Sequence, residues 1–269
     1  MRGIIIAAGR GIRMAPLTRE RPKCLLPIGE RTLLDFTVER LRANGCEEIV
    51  IITGHCADAI QRDDLVRVEN TNFKDNNILH SLMYAKPYIE GDVIITYSDI
   101  WVEPDIYETL CAASGDIVIA VDKDWEPYYQ GRTEHPLSEA ESVVVGPDGG
   151  IVRIGKHLTA DDASDMLFGE FLGLWRMTPD GARQFVDMFE QIEARLTLTE
   201  PFQNAKEWQK AYITDILQEI IDNGGAVSSA LIERGWAELD TVQDYERLPG
   251  ITVRQRMFEL TKYLGSHDV

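Results

Sequence analysis

The chain of 269 residues carries 27 Lys+Arg against 45 Asp+Glu, a formal net charge of −18, with 44% hydrophobic and 27% charged side chains. This is enough apolar material for a sizeable core, while the acidity excludes broad binding to nucleic acid or to an anionic membrane surface, both of which need a basic face. No apolar run approaches the ~20 residues of a membrane span or forms a signal-peptide core, which predicts a cytoplasmic protein.

In chain order, Gly3 to Ala8 is a short apolar run predicted as a buried strand. It feeds "GRGIRMAPLTRERPK", so residues 1–31 hold Arg2, Arg10, Arg13, Arg19, Arg21, Lys23 and Arg31 but only Glu20 and Glu30 as acids. In an acidic chain, a local basic cluster behind a strand marks a site for a small anion. A loop leaving the C-terminal end of a parallel strand sits where open α/β sheets bind ligands, and its small residues let backbone amides approach phosphates. Gly9-x-Gly11 is not a full dinucleotide fingerprint, because Met14 stands where GxGxxG needs glycine, and the P-loop spacing is absent.

Next come a helix over Leu33–Ala43, with Leu34, Val38 and Leu41 on one face and Gly45 past its end, and a strand over Glu48–Thr53. A helix over Ile78–Ala85 and a strand over Val93–Tyr97 continue this βαβ rhythm. After Val121 the stretch "DKDWEPYYQGRTEHPLSEAE" loses periodicity, and "SVVVGPDGGIVRI" reads as a β-hairpin turning at Pro147–Gly150; together they are expected to form an insertion or lid over the sheet. Helices follow over Gly181–Arg195 and Lys206–Asn223, the second with an apolar stripe of Ile213, Ile216, Leu217, Ile220 and Ile221. Residues 251–269 read as a terminal helix that packs on the body or on a second subunit, so a homo-oligomer stays open. Cys24, Cys46, Cys56 and Cys111 form no CxxC pair and are expected to be buried free thiols.

The pattern predicts a single α/β domain with a Rossmann-like, mixed, largely parallel sheet flanked by helices and a small β-hairpin or lid insertion. Residues 1–121 are expected to form its first half, with the glycine loop, and 122–250 its second half, with the hairpin or lid.

The extended loop, with Arg13 two residues past Gly11, then Pro16-Leu17-Thr18 and Pro22-Lys23, resembles the signature loop of nucleotidyltransferases that activate sugar phosphates and related phosphate esters, using an NTP and releasing pyrophosphate. Ile12 stands where that pattern often has Ser or Thr. The resemblance implies that the backbone of Ala7, Ala8, Gly9 and Gly11 holds the nucleotide, that Arg13 meets its β and γ phosphates, and that Lys23 lies against the α-phosphate. Charge at phosphorus is neutralised in this way with little reorganisation. Asp99, just beyond the apolar "VIITY", is a metal candidate. "RGWAELDTVQDYERL" resembles the late segment whose aspartate completes a Mg2+ site, here Asp240, although a helix-capping role for Asp240 fits the sequence equally well. Asp244 is expected on a helix surface.

"NNILHSL", with Asn76, Asn77 and Ser81, together with "GEFLGLW" and "WAELDTVQDY", is similar to segments of the cytidylyltransferases of phosphocholine and of phosphonates such as 2-aminoethylphosphonate. That resemblance implies CTP as donor, a small phosphonate or phosphate-ester acceptor, and Asn77, Ser81 and Lys156 among the acceptor contacts. An acceptor ammonium would want aromatic faces or a carboxylate, for which Trp125, Tyr128, Tyr129, Trp175 and Glu170 are available. His80, alone on a helical face, reads as structural. A sugar-1-phosphate nucleotidylyltransferase and a non-catalytic nucleotide sensor are the competing readings.

Overall fold

The structure, a computed structural model, describes residues 1–248; the helix expected over 251–269 lies outside the described residues. Nine strands form one mixed sheet: β1 (Arg2–Ala7), β2 (Glu48–Thr53), β3 (Val66–Glu69), β4 (Val93–Tyr97), β5 (Ile117–Asp122), β6 (Glu141–Val145), β7 (Ile151–Lys156), β8 (Leu167–Met177) and β9 (Ser228–Ile232). Helices α1 (Leu33–Ala43), α2 (Ile78–Met83), α3 (Pro104–Ala112), α4 (Ala160–Ala163), α5 (Pro179–Arg195) and α6 (Ile213–Asp222) accompany it, and residues 242–248 are also helical. The spatial order is β7-β6-β8-β4-β1-β2-β3, with β5 on the other side of β8 and β9 beyond β5. The strands β4, β1, β2 and β3 run parallel, and β8 is antiparallel to β4, β5 and β6.

Strand β1 lies between β2 and β4 and is buried on both faces, Ile4 and Ile6 packing into one layer and Ile5 and Ala7 into the other. Each buried isoleucine contributes roughly 2 kcal/mol, which fixes the strand and hence the loop that leaves it. The cap of α1 is built from Thr32 and Asp35, each bonding the other's backbone N–H.

Strand β8 is irregular between Phe171 and Trp175. Gly173 there has φ +76°, and a Cβ on it would lie 2.2 Å from the Tyr97 ring. Only glycine allows that ring to lie against the strand, where its hydroxyl donates to Glu141 at 3.1 Å.

The structure corrects several expectations. The β6–β7 hairpin does not lie over the sheet; β6 pairs with β8 and extends the sheet edge. Residues 123–140 are not a loose cover either. Trp125, Tyr128 and Tyr129 are buried, and Arg132, with no exposed side-chain surface, stacks between the Tyr128 and Tyr129 rings at 4.7 and 4.8 Å. Its guanidinium donates to both carboxylate oxygens of Asp244 at 2.8 and 3.1 Å. Asp244 is therefore buried, not a surface residue, and it also caps the helix of residues 242–248 by accepting from Thr241.

The helix expected from Lys206 starts only at Ile213. Asp215 accepts the Tyr212 backbone N–H at 2.7 Å, and this cap sets the start. Cys24 and Cys46 are buried thiols, but Cys56 and Cys111 are half-buried. Among the described residues no helix is long and apolar enough to cross a membrane.

Candidate active site

A cavity of about 270 Å³ opens at the C-terminal ends of β1 and β4. Ala7, Ala8, Gly9, Gly11 and Lys23 line it, as do Asn77, just before α2, and Ser81 within α2. Gly11 adopts φ +57° with Lys23 and Thr18 packed against it, and its carbonyl accepts from the Thr18 hydroxyl at 2.8 Å. This folds the loop back so that Lys23 returns to the mouth of β1. Arg10, Arg19 and Arg21 are exposed and make no ion pair among the described residues; Arg2 and Arg31 are instead paired with Glu48 and Glu39.

Asp99 follows β4 directly. A short ribbon pairs residues Ile100–Val102 with Trp236–Glu238, and the Leu239 N–H donates to the Asp99 carbonyl at 2.7 Å, which brings Asp240 beside Asp99. The Lys23 ammonium donates to Asp99 at 2.9 Å and to Asp240, whose other oxygen accepts from Arg13 at 2.5 Å. His135 Nδ1 lies 3.0 Å from that same oxygen. Burial would lower the Lys23 pKa, but the Asp99 and Asp240 charges hold it above the usual lysine range. Burial would likewise raise Asp240, but Lys23, His135 and Arg13 hold it well below the usual carboxylate range. Since Asp244 caps the following helix, the Asp240 side chain is free for this cluster.

Arg13, Lys23, Asp99 and Asp240 thus converge from three separated segments, the first two from the loop after β1. The donor set suits Mg2+: two hard carboxylates converge on one cationic position, beside loop amides that suit phosphate oxygens. His135, Glu238 and Asp240 also bring ligand atoms within 4.8 Å of one another.

Opposite the loop, the cavity is acidic and aromatic. Glu170 is buried; one of its oxygens accepts from the Tyr129 hydroxyl, and the other has no partner among the described residues. Burial pushes the Glu170 carboxyl up to about 8 and the Glu141 carboxyl up to about 7. Burial, with Asp240 beside it, raises Glu238 well above its usual range. Tyr97, Tyr129, Tyr212 and Trp236 supply ring surface.

Some expected residues lie elsewhere. Trp125 packs in the core against Tyr129 and Phe168, and Trp175 packs there against Tyr97 and Phe171, so neither lines the cavity. Tyr128 is buried against Trp236. Lys156 lines an adjoining cavity, its ammonium 3.1 Å from Glu139 and 4.7 Å from the Tyr212 ring centre. The Ser81 hydroxyl accepts from Asn70 at 2.8 Å, and Asn77 donates to the Lys210 carbonyl at 2.9 Å. His80 is wedged between Phe189 and Trp208, bonded to the Trp208 carbonyl.

Sequence reading missed Tyr97, His135, Glu141, Tyr212, Trp236 and Glu238. Period-two spacing from Trp236 through Glu238 to Asp240 signals a shared face for Glu238. His135 sits in an aperiodic stretch and gave no signal.

The sequence model of the MobA-like NTP transferase domain family matches residues 3–156. CTP:phosphoglutamine cytidylyltransferase of Campylobacter jejuni is 26% identical over 257 residues, covering 91% of this chain and 98% of that protein. CMP-5'-(3-aminopropyl)phosphonate synthase of Streptomyces rubellomurinus is 28% identical over 135 residues, covering 47% of this chain but only 22% of that longer protein. In fold, the chain is similar to the solved CTP:phosphocholine cytidylyltransferase of Streptococcus pneumoniae. The TM-score is 0.70 at 21% identity, covering 93% of this chain and 98% of that one.

Proposed function

The chain belongs to the MobA-like NTP transferase family, and we propose that within it this protein transfers CMP from CTP to a small phosphonate or phosphate-ester acceptor that bears an amine. The carrying observation is the convergence of Arg13, Lys23, Asp99 and Asp240 at the mouth of the glycine loop. Relatives named for CTP-dependent transfer to phosphoglutamine and for CMP-aminopropylphosphonate synthesis support the cytidylyl donor and the acceptor class.

In this reading the loop from Ala7 to Gly11 cradles the nucleotide, and Arg13 with the free Arg10, Arg19 and Arg21 draws in the triphosphate. Lys23 neutralises charge at the α-phosphate. An already ionised acceptor oxygen attacks the α-phosphorus, a new P–O bond forms, the bond from α-phosphorus to the bridging β oxygen breaks, and pyrophosphate leaves. No general base is needed, so positioning carries the step. Asp99 and Asp240 would hold Mg2+, which when bound supplies further charge neutralisation at the phosphates. Glu170, with its unpartnered oxygen, receives the acceptor's amine, and the surrounding rings shield it from water.

The test is pyrophosphate release with Mg2+, each of CTP, UTP, ATP and GTP, and a panel of 2-aminoethylphosphonate, 2-hydroxyethylphosphonate, phosphocholine and glucose-1-phosphate. Release with CTP and an amine-bearing acceptor is expected. Release only with glucose-1-phosphate would overturn the acceptor class, and binding without release would leave a sensor.

A further inference from the structure

Asn70 directly follows β3 and has no exposed surface. Its side chain uses every hydrogen-bonding position it has. Nδ2 donates to Asn76 Oδ1 at 3.0 Å and to Ser81 Oγ at 2.8 Å, while Oδ1 accepts the Asn72 backbone N–H at 2.9 Å and Asn76 Nδ2 at 3.2 Å. The Asn72 N–H can only donate, so the oxygen and nitrogen of Asn70 cannot exchange places, and the reciprocal amide pair then fixes which way the Asn76 amide points.

Asn76 and Ser81 both line the active-site cavity, whereas Asn70 stands behind them. The Asn76 oxygen also accepts from the Ser81 hydroxyl at 3.4 Å. What the pair has left for a ligand is one Nδ2 hydrogen on Asn76 and one lone pair on Ser81 Oγ, neither of which makes a side-chain bond among the described residues.

The stretch that carries them lines the cavity with uncharged residues only: Phe73, Asn76, Asn77, Ile78 and Ser81. A Cβ on Gly54 would lie 2.8 Å from both the Ala8 carbonyl oxygen and the Phe73 Cβ, so Phe73 packs close to the start of the glycine loop. Lys23 packs on Gly11, further along the same loop. With the triphosphate at Arg13 and Lys23, the neutral, planar base falls to the end formed by Phe73, Asn76 and Ser81.

We infer that Asn70 is a positioning residue that makes the site select cytosine over uracil, by holding Asn76 as a donor and Ser81 as an acceptor toward the base. The inference rests on the transferase reading above. Cytosine offers an acceptor at N3 beside a donor at its 4-amino group, which matches the remaining donor and acceptor one for one. Uracil reverses both, with a donor at N3 and an acceptor at O4, and leaves each protein group facing its own kind. Adenine presents the cytosine order on a larger ring, so the comparison that reads Asn70 is between the two pyrimidines. Without Asn70, the Asn76 amide can turn over and the Ser81 hydroxyl can donate, which accommodates uracil.

The test is the ratio of kcat/KM for CTP to that for UTP, with Mg2+ and the acceptor that the panel above identifies, and in parallel the ratio of their binding constants by calorimetry. The parent protein is expected to favour CTP by about tenfold to a hundredfold. Asn70→Ala should bring both ratios to within about threefold of one, through a raised KM for CTP and a lowered KM for UTP. Asn70→Asp, which keeps the size and the acceptor for the Asn72 N–H but loses both donors, should do the same if the alanine variant does not fold. Unfolded molecules lower both rates equally, so a merely structural role leaves the ratio where it was. In an Asn76→Ala/Ser81→Ala background, Asn70→Ala should change the ratio by less than about twofold.

A parent preference for CTP that Asn70→Ala and Asn70→Asp leave intact overturns the inference and spares the transferase reading. A full effect of Asn70→Ala in the double-alanine background overturns it too, because Asn70 would then act by another route. A parent that favours UTP removes the CTP donor along with the inference. Where no acceptor turns over, the binding ratio decides: a CTP preference lost in the Asn70 variants sustains the assignment, and equal binding of the two nucleotides by the parent removes it.

Discussion

Lys23 and Asp99 meet at 2.9 Å across 76 residues of sequence, and the same ammonium also bonds Asp240. One half-buried cation is shared by the two carboxylates proposed for Mg2+. The Asp99→Asn variant is therefore expected to keep its fold, because Asp240 still pairs with Lys23, and to lose turnover by roughly 100-fold or more. Pyrophosphate release and calorimetric CTP binding measure the two separately. Undiminished turnover would remove Asp99 from the mechanism.

Removing divalent metal tests the same pair from the other side. EDTA should stop pyrophosphate release, added Mg2+ should restore it, and the Asp99→Asn/Asp240→Asn double variant should require much higher Mg2+ for any residual rate. A rate indifferent to EDTA would contradict the metal assignment.

The Glu170 carboxyl, pushed up to about 8 by burial, gives a pH signature. A carboxyl whose folded pKa lies above its unfolded value costs stability as it ionises, so the Glu170 contribution to stability should fall as pH rises from about 4.5 to 8. Glu170→Gln keeps the acceptor for the Tyr129 hydroxyl and cannot ionise. Its stability relative to wild type should grow across that window by about 1–3 kcal/mol and level off above it, while being close to wild type below about pH 4.5. Denaturant midpoints at a series of pH values measure this, and a difference independent of pH would show that Glu170 does not titrate there.

Gly173→Ala should be severe, because the new Cβ would lie 2.2 Å from the Tyr97 ring in a left-handed conformation. A loss of about 2–4 kcal/mol in chemical denaturation is expected, together with weakened acceptor binding as Tyr97 moves. A loss below about 0.5 kcal/mol would mean that the ring is not held there.

Arg132→Ala strips the partner from Asp244 and leaves a buried carboxylate, at a cost of about 3–5 kcal/mol. Arg132→Ala/Asp244→Ala, which removes both charges, should recover part of that loss in the same unfolding experiment. Additive losses would argue that the two groups are not coupled.

Local chemistry made much of this protein legible from its sequence. Runs such as "IIIAA" and "VIITY" could only be buried strands, and α1 announced itself through the spacing of Leu34, Val38 and Leu41 and the stop at Gly45. The glycine loop, Lys23 and Asp99 stand directly after strands or close behind one, so βαβ order alone sets them at one edge of the sheet. Asp240, 217 residues from Lys23, reached the site in the sequence reading only through a resemblance.

The pairing of Ile100–Val102 with Trp236–Glu238, which carries Asp240 to Asp99, is a long-range contact that no local pattern encodes. The same holds for the burial of Trp125 in the core, the Arg132–Asp244 pair that fixes residues 123–140, and the arrival of His135 beside Asp240. Periodicity reports which face of an element is apolar, but not which distant element will cover it. An aperiodic segment is placed only when a specific aromatic or charged side chain finds a partner, and that choice belongs to the tertiary fold.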